Sequence, residues 1–165
     1  MKNKEIGVKK IIKAFTCKWR FIVLSLWKLP MAFLARLRVT ELNFERSTVI
    51  APYNYWNKNP FQSMYFAVQA MAAELSTGTL VILNSDGQNI SMLVTAMNSK
   101  YYKKATTKIQ FICLDGPKIQ IAIQKAIQTG ESQICEMKSK GYDLNGICVS
   151  EFNIQWSLKK RGSAL

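Results

Sequence analysis

A single carboxylate within a long apolar stretch is the strongest candidate for chemistry in this chain. Glu74 is the only charged residue between Lys58 and Asp86. An apolar environment disfavours the charged form, so it raises the pKa of a carboxyl group toward the range in which the group acts as a general base. Alternatively, Glu74 faces solvent at a helix edge or pairs with a lysine across a subunit interface, and the sequence leaves these interpretations open.

Polar side chains precede this carboxylate in a loop rich in asparagine. Asn57 and Asn59 carry amides that can orient a carbonyl group or an attacking water, and Gln62 and Ser63 are secondary candidates for the same task. Roles in loop structure and helix capping are the alternative for all four residues.

The element that must position these groups is a long helix. Residues 57–83, NKNPFQSMYFAVQAMAAELSTGTLVIL, are apolar almost throughout, and a helix that is apolar on all sides is normally buried. Its start is predicted near Phe61, because Asn59 suits the N-cap and Pro60 suits the first turn. The segment 84–87, Asn-Ser-Asp-Gly, ends it.

Composition excludes several classes of protein. The net charge of +13 favours polyanionic partners, but nucleic acid is not expected to be one, since no arginine-rich arm, zinc-finger spacing or aromatic RNA-binding motif accompanies the charge. The chain has no histidine, which removes histidine triads and histidine–zinc sites, and no metal site is expected. Four scattered cysteines without a CxxC pair indicate a reduced, cytoplasmic protein.

Residues 1–35 are predicted to form an amphipathic helical extension. Ile12, Phe15, Trp19 and Leu26 recur at helical spacing, and the apolar run between Arg20 and Lys28 is too short to span a bilayer. No small-residue cleavage site follows it, so a signal peptide is not expected. Packing on the domain is the first interpretation of this helix, and contact with a membrane surface is the alternative.

Residues 36–160 are predicted to form one α+β domain. Alternating and amphipathic patterns predict two strands, the long helix, two strands, a short helix and two strands. The predicted strands are 36–43, 47–52, 89–102, 106–114, 132–140 and 147–158, and the short helix is 115–130. One long apolar helix between strand pairs indicates an antiparallel sheet wrapped around that helix.

This order, centred on NPFQSMYFAVQAMAAELSTG, resembles the hotdog fold of acyl-CoA thioesterases and dehydratases. It is most similar to a thioesterase-like branch with a basic N-terminal helix and an asparagine-rich loop. The resemblance implies a homodimer with its site at the subunit interface, and an acyl-CoA or related acyl thioester as substrate. Coenzyme A would be part of that substrate, and no separate cofactor is implied.

The related phenylacetyl-CoA-type thioesterases have an asparagine, a His-Gly-Gly triplet and then an acidic residue. On this chain the asparagine is Asn59 and the acid is Glu74, which the resemblance implies is the base or nucleophile. Tyr65, Phe66 and Ala67 replace the triplet, whose backbone amides serve as oxyanion donors in that family. With the helix starting near Phe61, the free first-turn amides are expected instead around residues 62–64.

Further substrate contacts follow from the same resemblance. Lys100, Lys103 and Lys104 are expected near the phosphates of coenzyme A, with a solvated strand end as the alternative. Met64 and Tyr65 are expected to line an acyl channel, with a plain core role as the alternative. The predicted function is therefore an acyl-CoA thioesterase. The alternative is a non-catalytic acyl-CoA or lipid-binding protein that lost the usual motif.

Overall fold

The computed structural model describes residues 2–161, and their side chains from residue 5 onward. Helices and strands alternate in the predicted order. The helices are α1 (Lys2–Thr16), α2 (Lys18–Lys28), α3 (Pro30–Leu34), α4 (Phe66–Asn84) and α5 (Gly116–Thr129). The strands are β1 (Arg38–Leu42), β2 (Ser47–Ala51), β3 (Ile90–Tyr101), β4 (Ile109–Cys113), β5 (Gln133–Tyr142) and β6 (Cys148–Lys160).

The strands form one antiparallel sheet in the order β1-β2-β4-β5-β6-β3. Helix α4 packs across β2, β4, β5 and β6, so the predicted arrangement of a sheet around a long central helix is confirmed. Strand β3 lies at one end of the sheet and, among the described strands, pairs only with β6. Its other edge is therefore open.

Helix α4 is the core of the domain. It is long and apolar enough to cross a bilayer, but 67% of the apolar window is buried within the protein, as expected for a core helix. Its buried hydroxyls are paired with the sheet: Ser76 Oγ lies 2.8 Å from Ser139 Oγ, and Thr79 Oγ1 lies 2.8 Å from Ser47 Oγ. These pairs offset the cost of burying polar groups.

The central helix begins at Phe66, and the predicted start near Phe61 is wrong. Met64 forms a bridge with Lys58 and donates its backbone N–H to the Ala105 carbonyl at 2.7 Å. Gln62 has a φ of +57°, which a right-handed helix does not accommodate. Pairing with residues distant in sequence therefore holds residues 58–65 in a turn, despite their helix-compatible pattern.

The predicted helical extension consists of three helices, α1, α2 and α3. Cys17 has an extended backbone between α1 and α2, and Pro30 is the first residue of α3. Phe15 and Phe21 are buried in the main core, so this region packs on the domain, but Trp19 and Leu26 of the predicted apolar stripe are exposed.

Replacing Gly116 tests the close approach of α5 to the loop between β1 and β2. The Gly116 N–H donates to the Glu45 carbonyl at 3.1 Å, and a Cβ at Gly116 would overlap the backbone of Phe44 and Glu45. Gly116→Ala should therefore lower the free energy of unfolding by about 3 kcal/mol, measured by urea denaturation. Lys125→Ala, on the exposed side of the same helix, is the control and should change it by less than about 0.5 kcal/mol. Equal stability of the two variants would show that this approach is not as tight as described.

Candidate functional site

A groove of about 350 Å³ lies between the turn before α4, the start of α4 and the end of β3. Five predicted site residues line it: Asn59, Ser63, Met64, Lys103 and Lys104. The remaining lining residues are Phe66, Gln69, Tyr101, Tyr102 and Ala105. The groove therefore combines apolar and aromatic walls with amide and ammonium groups, as small-molecule sites commonly do.

Asn59 organises the turn that forms one wall of this groove. Its Oδ1 accepts hydrogen bonds from the backbone N–H groups of Phe61 (3.0 Å) and Ser63 (3.2 Å), and from Ser63 Oγ (3.2 Å). Asn59 therefore caps this turn and not the central helix. Its Nδ2 has no hydrogen-bond acceptor among residues 5–161, so the amide can donate to a ligand in the groove.

The amides expected to stabilise an oxyanion are all occupied, and that prediction is wrong. The Gln62 N–H donates to the Asn59 carbonyl at 3.1 Å, and the Met64 N–H donates to the Ala105 carbonyl at 2.7 Å. The Ser63 N–H is taken by the Asn59 side chain. Gln62 is exposed and does not line the groove.

Two other amides are free because α4 starts later than predicted. The Tyr65 carbonyl accepts the N–H groups of Val68 (3.0 Å) and Gln69 (3.3 Å), and Tyr65 caps the helix without a side-chain bond. No described residue accepts the N–H of Phe66 or Ala67. Both amides lie at the positive end of the helix dipole, where they favour an anion. The Tyr65 side chain is exposed and does not line the groove.

Gln69 is a groove residue that the sequence interpretation missed. It is 4% exposed, its Nε2 donates to the Met64 carbonyl at 3.3 Å, and its Oε1 accepts a hydrogen bond from Ser150 Oγ at 2.9 Å. An amide in the first turns of an otherwise apolar helix was the available signal. Its rigid position suits it to orienting a ligand.

The basic residues divide between the groove and open solvent. Lys103 forms an ion pair with Asp143 at 3.4 Å, and the Lys104 ammonium lies 3.4 Å from the Phe61 carbonyl. The pKa of Asp143 is lowered, mainly by the Ile147 N–H that its carboxylate accepts. Lys100 lies on the exposed part of β3 and does not line the groove.

Asn57 does not reach the groove. Its side chain is 1% exposed, and its Nδ2 donates to the Ala35 and Pro52 carbonyls, each at 2.8 Å. Its own carbonyl accepts the Tyr65 N–H at 2.7 Å. Asn57 thus ties α3, the end of β2 and the start of α4 together, and a direct contact with substrate is not supported because its amide hydrogens are committed to the backbone.

Glu74 lies outside the groove of its own chain, on the partly exposed side of α4. A Cβ at Gly78 would lie 3.4 Å from Glu74 Oε1 and 3.4 Å from the Trp156 ring, so both side chains border this glycine. No residue between 5 and 161 forms a salt bridge or hydrogen bond with the Glu74 carboxylate. Burial raises the pKa of the Glu74 carboxyl above its usual value. The predicted desolvation is therefore present, and no lysine among residues 5–161 forms an ion pair with this carboxylate.

Among the described residues, no group of three or more histidine, cysteine, aspartate or glutamate side chains could hold a metal ion. The groove itself presents a free amide at the start of α4 and the ammonium groups of Lys103 and Lys104, and the desolvated Glu74 carboxylate lies outside it.

Solved structures share this architecture. A Pseudomonas aeruginosa protein of unknown function, designated a probable thioesterase, is 22% identical with a TM-score of 0.76, covering 84% of this chain and 92% of its own. A Chlorobaculum tepidum protein of unknown function is 18% identical with a TM-score of 0.73, covering 88% and 95%. A Haemophilus influenzae thioesterase is 10% identical with a TM-score of 0.65, covering 84% and 88%. No curated protein sequence matches this chain.

The topology and these neighbours show that the chain has the hotdog fold, which confirms the fold class predicted from sequence. Within that class, a family model described as a domain of unknown function, DUF4442, matches residues 17–158. The chain belongs to this family.

Replacing Glu74 with glutamine should stabilise the protein. Burial raises the pKa of Glu74 in the folded state above its value in the unfolded state. Between these two pKa values the folded state binds more protons than the unfolded state, so the free energy of unfolding falls as the pH rises through this range. Glu74→Gln removes this cost and should raise the free energy of unfolding at neutral pH by on the order of 1 kcal/mol. The difference should vanish in acid, where the carboxyl is protonated in both states. Urea denaturation across pH measures it, with the exposed Glu131→Gln as control. A destabilised Glu74→Gln variant would mean that the carboxylate has a stabilising partner.

Proposed function

We propose that this protein hydrolyses an acyl thioester, with Glu74 as the general base. The observation that carries the proposal is an unpaired, desolvated carboxylate in a fold whose free helix-start amides lie beside a groove. The thioesterase neighbours support the reaction class. Neither the carboxylate nor the neighbours identify the acyl group. Acyl-CoA is proposed as the substrate because Lys103 and Lys104 line the groove, where their ammonium groups can bind phosphate groups.

The reaction needs no metal ion. The Glu74 carboxylate takes a proton from a water molecule, and the resulting hydroxide adds to the thioester carbonyl carbon. The Phe66 and Ala67 amides donate to the oxyanion that forms. The C–S bond then breaks, the carboxylic acid is released, and the departing thiolate takes the proton from Glu74. Asn59 and Gln69 orient the thioester within the groove.

Glu74 and the groove are separated within one chain, and a homodimer would join them. We propose that the open edges of two β3 strands pair in antiparallel fashion about a two-fold axis. The Tyr101 end of one β3, which lines the groove, then meets the Ile90–Val94 end of the other. Val94 pairs with Trp156 in the sheet, and the Trp156 ring borders Gly78, as the Glu74 carboxylate does. Each groove would thus face Glu74 of the partner subunit.

The features of β3 agree with this assembly. It is twelve residues long, and a long open strand edge in a soluble protein usually has a partner or a protective device. Leu93, Met97 and Tyr101 on this strand are exposed large apolar residues in the single chain. Their burial would add hydrophobic stabilisation to the backbone hydrogen bonds of the new strand pair.

Glu74→Gln should abolish the proposed reaction. Loss of the general base should reduce kcat/KM for acyl-CoA hydrolysis by roughly 100-fold or more, measured over a series of acyl chain lengths. In the wild type, kcat/KM should rise with pH through the raised pKa of Glu74, because only the deprotonated carboxyl accepts a proton. The exposed Glu131→Gln variant should keep wild-type activity. If Glu74→Gln keeps wild-type hydrolysis, this mechanism is wrong. If the wild type binds acyl-CoA without hydrolysing it, the non-catalytic binding function is correct instead.

Phe66→Pro tests the amide donors separately from the base. Proline fits the first position of a helix, and Tyr65 already has the extended ψ of 133° that a residue before proline prefers. The substitution therefore removes one N–H while preserving the helix start. It should lower kcat by roughly 100-fold. Phe66→Ala, which loses the ring but keeps the amide, is the matched control and should retain most of kcat.

The two inactive variants also test the shared site. Co-expression of Glu74→Gln with Phe66→Pro should restore about a quarter of wild-type activity, since a mixed dimer contains one site free of both changes. Failure to restore any activity, with mixed dimers verified by mass spectrometry, would place both groups in sites built from a single chain.

A further inference from the structure

Helix α2 has two apolar sides, and only one is covered. Phe21 and Ser25 are buried against the domain. On the opposite side Trp19 is 72% exposed and Trp27 is 80% exposed, with Val23 between them at helical spacing. A helix that is apolar on both sides normally has both sides covered. Leu26 on α2 and Met31 and Leu34 on α3 extend this exposed surface, the α2–α3 face.

The charges around the α2–α3 face have one sign. Between Ile6 and Thr40 the chain contains no acidic residue. The exposed cations on and beside the face are Lys18, Arg20, Lys28, Arg36 and Arg38. The Lys18 ammonium lies 5.5 Å from the ring centroid of Trp19, so charge and aromatic surface are directly adjacent.

A cavity of about 680 Å³ lies between the domain-facing side of α2, α3 and the loop after β2, and it meets the α2–α3 face at Leu34. Its apolar walls come mainly from Phe21, Ile22, Phe33 and Leu34, and Lys18, Arg36 and Arg38 also line it. Trp56, on the loop, closes the far side and is itself exposed. The region therefore offers apolar depth together with cationic groups.

We propose that the α2–α3 face docks on the surface of a bilayer containing anionic phospholipid. Tryptophan favours the membrane–water interface, and the surrounding lysines and arginines match the phosphate groups of the lipids. A second copy of the chain is a poorer occupant, because two-fold pairing of this face would oppose identical cationic rims. The proposal goes beyond thioester hydrolysis and does not depend on it.

Flotation of the full-length protein with vesicles tests the proposal. Binding is expected to vesicles of phosphatidylglycerol and phosphatidylcholine in equal parts, and not to phosphatidylcholine alone. The double variant Trp19→Ser/Trp27→Ser should bind at least roughly tenfold more weakly. Ile121→Ser/Leu144→Ser, which changes exposed apolar residues outside the face, should bind like wild type.

Two double variants, each lacking two positive charges, distinguish electrostatic from apolar contributions to docking. Arg20→Gln/Lys28→Gln should weaken binding by roughly fivefold for each charge removed. Lys125→Gln/Lys159→Gln, which lowers the net charge equally at exposed sites elsewhere, should have a much smaller effect. Circular dichroism verifies the fold of each variant.

Three results would overturn the proposal. One is the absence of binding to the anionic vesicles, and another is equal weakening by both charge pairs, which would indicate a diffuse charge effect. The third is self-association in sedimentation that only the tryptophan variant abolishes, without vesicle binding, which would assign the face to a second copy of the chain.

Discussion

Burial of α4 against the sheet is the constraint on which the remaining structure depends. The buried hydroxyls of Ser76 and Thr79 donate to carbonyls of their own helix and also pair with Ser139 and Ser47 on the strands. These pairs fix the rotation of the helix about its axis. With those residues turned to the sheet, Glu74 is left on the partly exposed side, where its carboxylate is desolvated but has no partner among the described residues.

The start of α4 decides which backbone groups are available for chemistry. The buried Asn57 side chain donates to the Ala35 and Pro52 carbonyls, and the Asn57 carbonyl accepts a hydrogen bond from the Tyr65 N–H. Asn57 thereby fixes the segment that leads into α4. The helix therefore begins at Phe66, with free amides at Phe66, which lines the groove, and at Ala67. Tyr65, Phe66 and Ala67 stand where the resemblance places the His-Gly-Gly triplet. The free amides of Phe66 and Ala67 are therefore present, although the histidine and the two glycines are not. This is why the proposed hydrolysis relies on backbone donors and a carboxylate.

Positively charged residues border two separate surfaces of the protein. Lys103 and Lys104 stand at the groove, where they suit a phosphorylated substrate. The cations around the α2–α3 face stand beside exposed tryptophans, where they suit a lipid surface. The two proposals fit one another physically, because acyl chains partition into membranes. An enzyme held at a bilayer surface would meet acyl substrates there, although each proposal is tested without the other.

The sequence by itself indicated the hotdog fold only through a resemblance to known proteins, but it determined the order of helices and strands and the isolation of Glu74. These follow from apolar periodicity and composition, which are local properties of the chain. Only the tertiary structure decided where α4 starts, because the Met64–Ala105 hydrogen bond joins segments far apart in sequence. It also withdrew Asn57 into the core, brought Gln69 into the groove and left one side of α2 uncovered. Each depends on which surfaces meet after folding, and a linear pattern does not contain that information.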